Sequence, residues 1–343
     1  FDLYRDWGTY KHDNFFFQRE YLFRELPERR VEYFPESAYW IAGDVDVPQF
    51  LPNYVYARWL DVSSLTREAA ERGLPPLDGH IVFSSGHEWN YWLTDYLTAR
   101  MAWMPSASFE ETLGHYGSAF GPCGSEISDA LEGLVALQNE YLFDKRLIGY
   151  VTGEDNLLDV GWLAGYESHP RRRSYEEVAA LEPDARDAFV RDVLVPLESM
   201  AAAIEPLEKS VTARCKTADT ALRPFCDELV DGFAIDRLRA RHAALLYRAV
   251  LDWAGGGSEH PALLDRASSE AALAKQVVER RALGFRFDKA RLVDAYDNRT
   301  IYAFGYLRQA HTLCFWNRQE QQARILIETG YPVGVAGLAT CHD

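Results

Sequence analysis

Apolar residues in the second half of the chain recur at helical spacing. The clearest stripe advances in steps of three or four residues and comprises Val190, Leu194, Leu197, Ala201, Ile204, Leu207 and Val211. This period predicts an amphipathic helix that buries one face, which Pro196 and Pro206 should kink or divide. Ser174 and Glu177 form a predicted capping box. Similar patterns predict helices over 125–147, 219–254, 268–282 and 292–328.

The first third has a different pattern. Two short β-prone runs, at 30–34 and 80–84, lie on either side of a helix that Ser63 or Ser64 would cap and that would end near Gly73. A further strand is expected around 54–60 because Tyr, Val and Trp are common there. A strand, a helix and a strand at this spacing are typical of a parallel α/β unit.

Aromatic residues also separate the two parts. Residues 1–116 contain 25 of the 46 Phe, Trp and Tyr residues, and the rest is rich in Ala, Leu, Glu and Arg. We therefore predict an α/β part over 1–116 and a helical domain over 117–343. This division combines an α/β class with an all-α class.

Charge and cysteine content exclude several classes of protein. The 343 residues carry a formal charge of −16, which argues against binding to nucleic acid or to an anionic membrane surface. No apolar run reaches the roughly 20 residues that span a bilayer. Of five cysteines, Cys215 and Cys226 are close enough in sequence to form a disulfide, although reduced and buried thiols are the more common state.

Two segments carry the candidate chemistry, and each follows a predicted strand. One runs through Glu36 and the other through Glu88, and both are rich in aromatic residues. Glycoside hydrolysis needs two carboxyl groups, and an aromatic environment raises the pKa of a glutamate toward the range of a general acid. The supporting candidates are stacking platforms, hydroxyl ligands and reserve carboxylates: Trp40, Trp89, Tyr91 and Trp92; His87 and Asn90; Asp44, Asp46 and Asp95. Packing of a core is the simpler use of such aromatic clusters.

The segments Pro-Glu-Ser-Ala-Tyr-Trp at 35–40 and Ser-Gly-His-Glu-Trp-Asn-Tyr-Trp at 85–92 resemble those of a known family. With the helical region behind them, they are similar to the C-terminal half of a (β/α)₈-barrel glycoside hydrolase followed by a helical domain. The resemblance implies a partial (β/α)-barrel-like first part and a carbohydrate partner, an oligosaccharide or polysaccharide. We expect a secreted or periplasmic protein, with a cytoplasmic location left open.

Other interpretations stay open. The chain could be a non-catalytic carbohydrate-binding or extracellular assembly protein that forms a homo-oligomer or binds a partner chain. Asp44 and Asp46 could hold calcium, and a zinc site could combine His311, Cys314, Cys341 and His342. No nucleotide-binding motif occurs, so no cofactor is expected.

Overall fold

The computed structural model of the chain describes residues 13–34, 49–82, 90–151, 172–284 and 313–333. About three quarters of this structure is helical. The helices in the first half are α1 (Asp13–Glu25), α2 (Asn53–Glu71), α3 (Tyr91–Trp103), α4 (Phe109–Ser118), α5 (Gly124–Gln138) and α6 (Ile148–Val151). A 3₁₀ turn at Gly121–Cys123 precedes α5, and a π-helical segment at Asn139–Asp144 follows it.

The second half is also built from helices. They are α7 (Tyr175–Ala179), α8 (Pro183–Phe189), α9 (Val195–Cys215), α10 (Arg223–Ala254), α11 (His260–Gly284) and α12 (Cys314–Thr329). A π-helical segment at Val190–Leu194 joins α8 to α9, and a 3₁₀ turn at Thr220–Leu222 precedes α10. The predicted capping box at Ser174 is confirmed, and Pro206 lies inside α9 without ending it.

One pair of short strands forms the sheet in the described part of the chain. Strands β1 (Glu32–Tyr33) and β2 (Gly79–His80) run parallel, and α2 lies between them in sequence. The predicted strand–helix–strand order is therefore present. The partial (β/α)-barrel-like fold is nevertheless wrong, because the structure is helical and the sheet has two strands.

The strand predicted at 54–60 is part of α2. Its buried residues, among them Tyr54, Arg58, Asp61 and Leu65, recur every three or four positions. That is the period of a helix packed on one side. Burial of this face therefore outweighs the local β propensity of Tyr, Val and Trp.

Helix α10 occupies the centre of the fold. It packs against α9 on one side and α11 on another, and it also contacts α7 and α12. Its residues are buried along almost the whole length, from Cys226 to Leu251. The main apolar core forms around it and extends from Phe50 to Leu326 in sequence.

The segment before α2 is fastened to this core by polar contacts. The Asp236 carboxylate accepts a hydrogen bond from the Phe50 amide at 2.9 Å and another from Gln138 Nε2 at 2.9 Å. Gln138 Nε2 also donates to the Phe50 carbonyl oxygen at 2.7 Å. Gly232 lies against the Phe50 ring, where a Cβ atom would approach a ring carbon to 2.7 Å. A larger residue at 232 would therefore push the ring away.

A smaller apolar cluster supports the strands. It comprises Phe23, Leu26, Val31, Tyr33, Leu65 and Ala69, which come from α1, the segment between α1 and β1, β1 and α2. The predicted division after residue 116 falls within α4, and the main core includes residues from both sides of it. The assignment of two domains stays a prediction.

The described residues include the two cysteines of the possible disulfide and all the helices that could be tested for spanning a membrane. Cys123, Cys215 and Cys226 are free thiols, and the Cys215 thiol donates to the Cys226 carbonyl oxygen at 3.6 Å. The Cys215–Cys226 disulfide is therefore not formed. Within the described ranges, every helix is too short or too polar to cross a bilayer.

Candidate functional site

The candidate site lies at the edge where β1 and β2 end. The register pairs Glu32 with Gly79 and Tyr33 with His80, so both strands point the same way and end side by side. The Ile81 amide continues the pairing with a 2.9 Å hydrogen bond to the Tyr33 carbonyl oxygen. The two segments that carry the predicted chemistry therefore leave from neighbouring strand ends.

Most of the predicted site residues belong to those segments and lie outside the described residues. They are Glu36 and Glu88, the two catalytic candidates, and Trp40, Asp44, Asp46, His87 and Trp89. The same applies to the predicted zinc ligands His311, Cys341 and His342. The described part of the site consists of the residues that support the strand edge.

A buried ion pair lies beside β1. Helix α2 supplies Arg58 and Asp61 three residues apart, and both side chains are fully buried. Arg58 Nη2 lies 3.2 Å from Asp61 Oδ2, Arg58 Nη1 donates to the Tyr33 hydroxyl at 3.2 Å, and that hydroxyl donates to Asp61 Oδ2 at 2.5 Å. Burial lowers the pKa of Arg58, and the adjacent Asp61 carboxylate opposes this shift. The three groups form a closed triangle that fixes the strand to the helix.

His80 completes this cluster from β2. Its ring stacks on Tyr33, with ring centroids 5.6 Å apart and the planes 21° from parallel. Burial, with a contribution from the Arg58 charge, lowers the pKa of His80 to about 4, so the ring is neutral at pH 7. Both ring nitrogens are buried and lack a hydrogen bond to any described residue. A neutral imidazole has one donor and one acceptor to offer.

Two of the predicted sugar-binding residues make contacts with α10, and their role in sugar binding stays a prediction. The Asn90 amide donates to Glu228 Oε1 at 3.0 Å, and its side-chain nitrogen donates to the Glu228 carbonyl oxygen at 3.3 Å. Its side-chain oxygen accepts from Trp92 Nε1 at 3.3 Å, and the Trp92 ring lies against Phe225. Asn90 and Trp92 therefore fasten the start of α3 to α10. Tyr91 and Asp95 are half-buried on the first turns of α3.

A second polar cluster, which the sequence analysis missed, lies between α10 and α12. Arg239 and His242 of α10 are fully buried. Arg239 donates through Nε to the Val151 carbonyl oxygen at 2.8 Å and through Nη2 to Gln319 Oε1. Its Nη1 lies 3.2 Å from His242 Nδ1. His242 in turn faces the Glu320 carboxylate.

A signal for this cluster is present in the sequence. Ile235, Arg239, His242 and Leu246 advance in steps of four, three and four residues, and all four are buried. An arginine and a histidine therefore occupy positions of an otherwise apolar stripe. Polar residues at core positions need partners, so their presence on such a stripe indicates a buried network.

Metal binding and relatedness to known proteins were both open questions after the sequence analysis. In the ranges that the structure describes, no group of three or more His, Cys, Asp or Glu residues is arranged to hold a metal ion. Comparisons of the chain with protein-family models, with curated proteins and with solved structures found no match. The arrangement of this chain's own side chains is therefore the basis for its function.

Proposed function

We propose that the chain acts on carbohydrate at the edge of β1 and β2, with Glu36 and Glu88 as a pair of catalytic carboxyl groups. The observation that carries this proposal is the parallel pairing of the two strands. Glu36 follows Tyr33 by three residues, and Glu88 follows His80 by eight. Two acidic segments that begin side by side are a suitable starting point for a site with one carboxyl group on each.

The chemistry would divide between the two glutamates. One would protonate the glycosidic oxygen, and the other would act as the base or the nucleophile on the opposite face of the sugar. Aromatic residues in the same segments, such as Trp40 and Trp89, would stack on the sugar rings. The buried triangle of Tyr33, Arg58 and Asp61 supports the proposal by holding the first of the two strand ends in place.

The test is a screen of hydrolysis across polysaccharides with the full chain and matched variants. Glu36→Gln and Glu88→Gln should each lower the turnover rate by about 10²-fold or more, since each removes a proton-transfer group. Glu28→Gln is the control, because Glu28 is exposed beyond α1. The proposal fails if the wild-type chain is active and either variant hydrolyses the substrate at the wild-type rate. It also fails if the wild-type chain leaves every polysaccharide intact.

A second candidate function, carbohydrate binding without catalysis, is favoured by a separate observation. Trp103 is 82% exposed and Tyr96 is 46% exposed, and they lie seven residues apart on one face of α3. Exposed aromatic rings of this kind are typical of a contact surface. If this function is correct, the wild-type chain should sediment with an insoluble polysaccharide without cleaving it, and Trp103→Ala should stay in solution.

A further inference from the structure

A groove between α11 and α12 has the features of a second binding site. It encloses about 400 Å³, which is within the range of small-ligand pockets. Its polar wall residues are Ser268, Lys275, Asn317, Glu320, Gln321 and Arg324. Two small residues, Ala271 and Ala272, lie between the polar groups of α11 and leave room for a ligand.

The groove is polar toward both ends. Ser268 and Lys275 are seven residues apart on α11, and Asn317 and Arg324 are seven apart on α12, which is roughly 10 Å along each helix. At one end Arg324 donates to Glu320 Oε1 at 2.9 Å and to the Ser268 hydroxyl at 2.8 Å. The Ser268 hydroxyl donates to the same Glu320 oxygen. This end is held rigidly by its own contacts.

The buried residues Arg239 and His242 of α10 lie on the core side of Glu320. Arg239 Nη1 lies 3.2 Å from His242 Nδ1. Because an arginine side chain has only donors, His242 Nδ1 is the acceptor, and the proton of the neutral ring is on Nε2. Nε2 lies 3.7 Å from Glu320 Oε2, beyond hydrogen-bond distance, and makes no hydrogen bond. Burial raises the pKa of Glu320, but contacts from His242, Ser268 and Arg324 outweigh it and bring the pKa to about 2. Glu320 is therefore a fixed anion in the groove wall.

The remaining wall groups define what a ligand would need. Lys275 is an exposed ammonium whose one ion pair, with Glu279, is long at 3.7 Å. The Asn317 and Gln321 side chains are exposed and make no hydrogen bond to a described residue. Glu279 lies 3.7 Å from the Lys275 ammonium, and Asp265 lies 3.9 Å from Arg324, so the exposed Lys275 is the cation that a ligand can reach. A carboxylate suits the ammonium, whereas hydroxyl groups suit the two amides and the remaining lone pairs of Glu320.

We propose that this groove binds a small carboxylate that carries several hydroxyl groups, such as a uronic acid. The carboxylate pairs with Lys275, and the hydroxyls bond to Asn317, Gln321 and Glu320. The site uses neither Glu36 nor Glu88. A failure of this proposal therefore leaves the proposed function at the strand edge untouched, and the reverse also holds.

The test is calorimetric titration of the full chain with glucuronate, glucose and acetate. Glucuronate should bind at least about tenfold more tightly than either of the others, because glucose lacks the charge and acetate lacks the hydroxyls. Lys275→Gln should weaken glucuronate binding about tenfold or more, as expected for the loss of one charged hydrogen bond. Asn317→Ala should weaken glucuronate and leave acetate unchanged.

Lys209→Gln is the matched control. Lys209 is an exposed helical lysine that pairs with Glu205, four residues away, much as Lys275 pairs with Glu279. The proposal is overturned if glucuronate gives no heat of binding up to about 10 mM. It is also overturned if acetate binds as tightly as glucuronate, or if the Lys275 and Lys209 variants behave alike. Thermal unfolding of each variant confirms that all of them are folded.

Discussion

Two fully buried arginines, Arg58 and Arg239, are held in very different ways. Arg58 lies beside the carboxylate of Asp61, which is also fully buried. Arg239 contacts no acidic side chain among the described residues. It bonds instead to the carbonyl oxygens of Val151 and Tyr150 and to Gln319, and it lies 5.3 Å from the centre of the Trp316 ring.

The difference shows two ways of stabilising a cation in a protein interior. An ion pair cancels the charge but makes each partner depend on the other, because either charge left alone is costly. The guanidinium of Arg239 spreads its charge over several dipoles and an aromatic face, so no single neighbour is indispensable. Burial lowers the pKa of Arg239 to about 10, and the group remains charged at pH 7.

The largest effect is expected where the ion pair is broken. Asp61→Asn removes the negative charge beside the buried Arg58 and should lower the free energy of unfolding by about 3–5 kcal/mol. Urea unfolding followed by circular dichroism measures the loss. Asp192→Asn is the control, because Asp192 pairs with Arg191 on the exposed surface and its loss should have no measurable effect. The double variant Arg58→Met/Asp61→Leu should recover most of the stability, and a double variant as unstable as Asp61→Asn would contradict the explanation.

The next largest effect is a dependence of the free energy of unfolding on pH. The cluster around Arg58 and the cluster around Arg239 each contribute one histidine to it. Burial lowers the pKa of His80 and of His242 to about 4, from an ordinary 6.5. Between these values the unfolded form of each histidine binds a proton that the folded form does not, so the contribution of each histidine to stability falls as the pH is lowered from 6.5 toward 4. From pH 7 to pH 5 each histidine should contribute a loss of about 2 kcal/mol.

Urea midpoints at pH 7, 6 and 5 test this dependence. His80→Phe and His242→Phe should each make the decline with falling pH shallower. Glu320, with a pKa of about 2, loses its contribution only below about pH 4.5 and does not obscure this window. A decline equally steep in both variants would rule the histidines out as its source.

A smaller loss is expected when the cation without an acidic partner is removed. Arg239→Met deletes several hydrogen bonds but strands no buried anion, so the free energy of unfolding should fall by about 2 kcal/mol. The Val151 carbonyl oxygen keeps its 2.6 Å hydrogen bond from Gln49. Chemical denaturation beside Asp61→Asn gives the comparison. A loss as large as that of Asp61→Asn would show that the two arginines do not differ as described.

The smallest effect concerns the hydroxyl group that bridges the ion pair. Tyr33→Phe removes the group that bonds to both Arg58 and Asp61, while their own 3.2 Å contact remains. The expected loss is about 1 kcal/mol, the usual net contribution of one hydrogen bond. Thermal unfolding resolves a change of this size, and an unchanged melting temperature would mean that the bridge is dispensable.

The sequence was most informative where a local pattern determines the structure. The capping box at Ser174 and the helix over 219–254 follow from residue type and period, and both are confirmed. The parallel strand pair was also predicted, because its two runs are separated by a helix and a turn. The barrel was wrong because strand number depends on long-range packing, which a β-prone run such as 54–60 does not encode.

The candidate site was harder to predict than the helices. The aromatic surroundings of Asn90 and Trp92 predict a sugar-binding role, but they do not predict the contacts that these residues make with Glu228 and Phe225 of a distant helix. Arg239 and Gln319 are far apart in sequence and come into contact only when α10 and α12 pack together. No local pattern contains the information that they share a network.

The hydrogen bond from the Phe50 amide to Asp236 has a consequence for the order of folding. It joins residues that are 186 positions apart, and the same carboxylate is bound by Gln138 of α5. Closing so long a loop is entropically expensive, so this contact should form after the local helices. Protection of the Phe50 amide proton from exchange with deuterium during folding would therefore show when the segment before α2 docks onto the helical core.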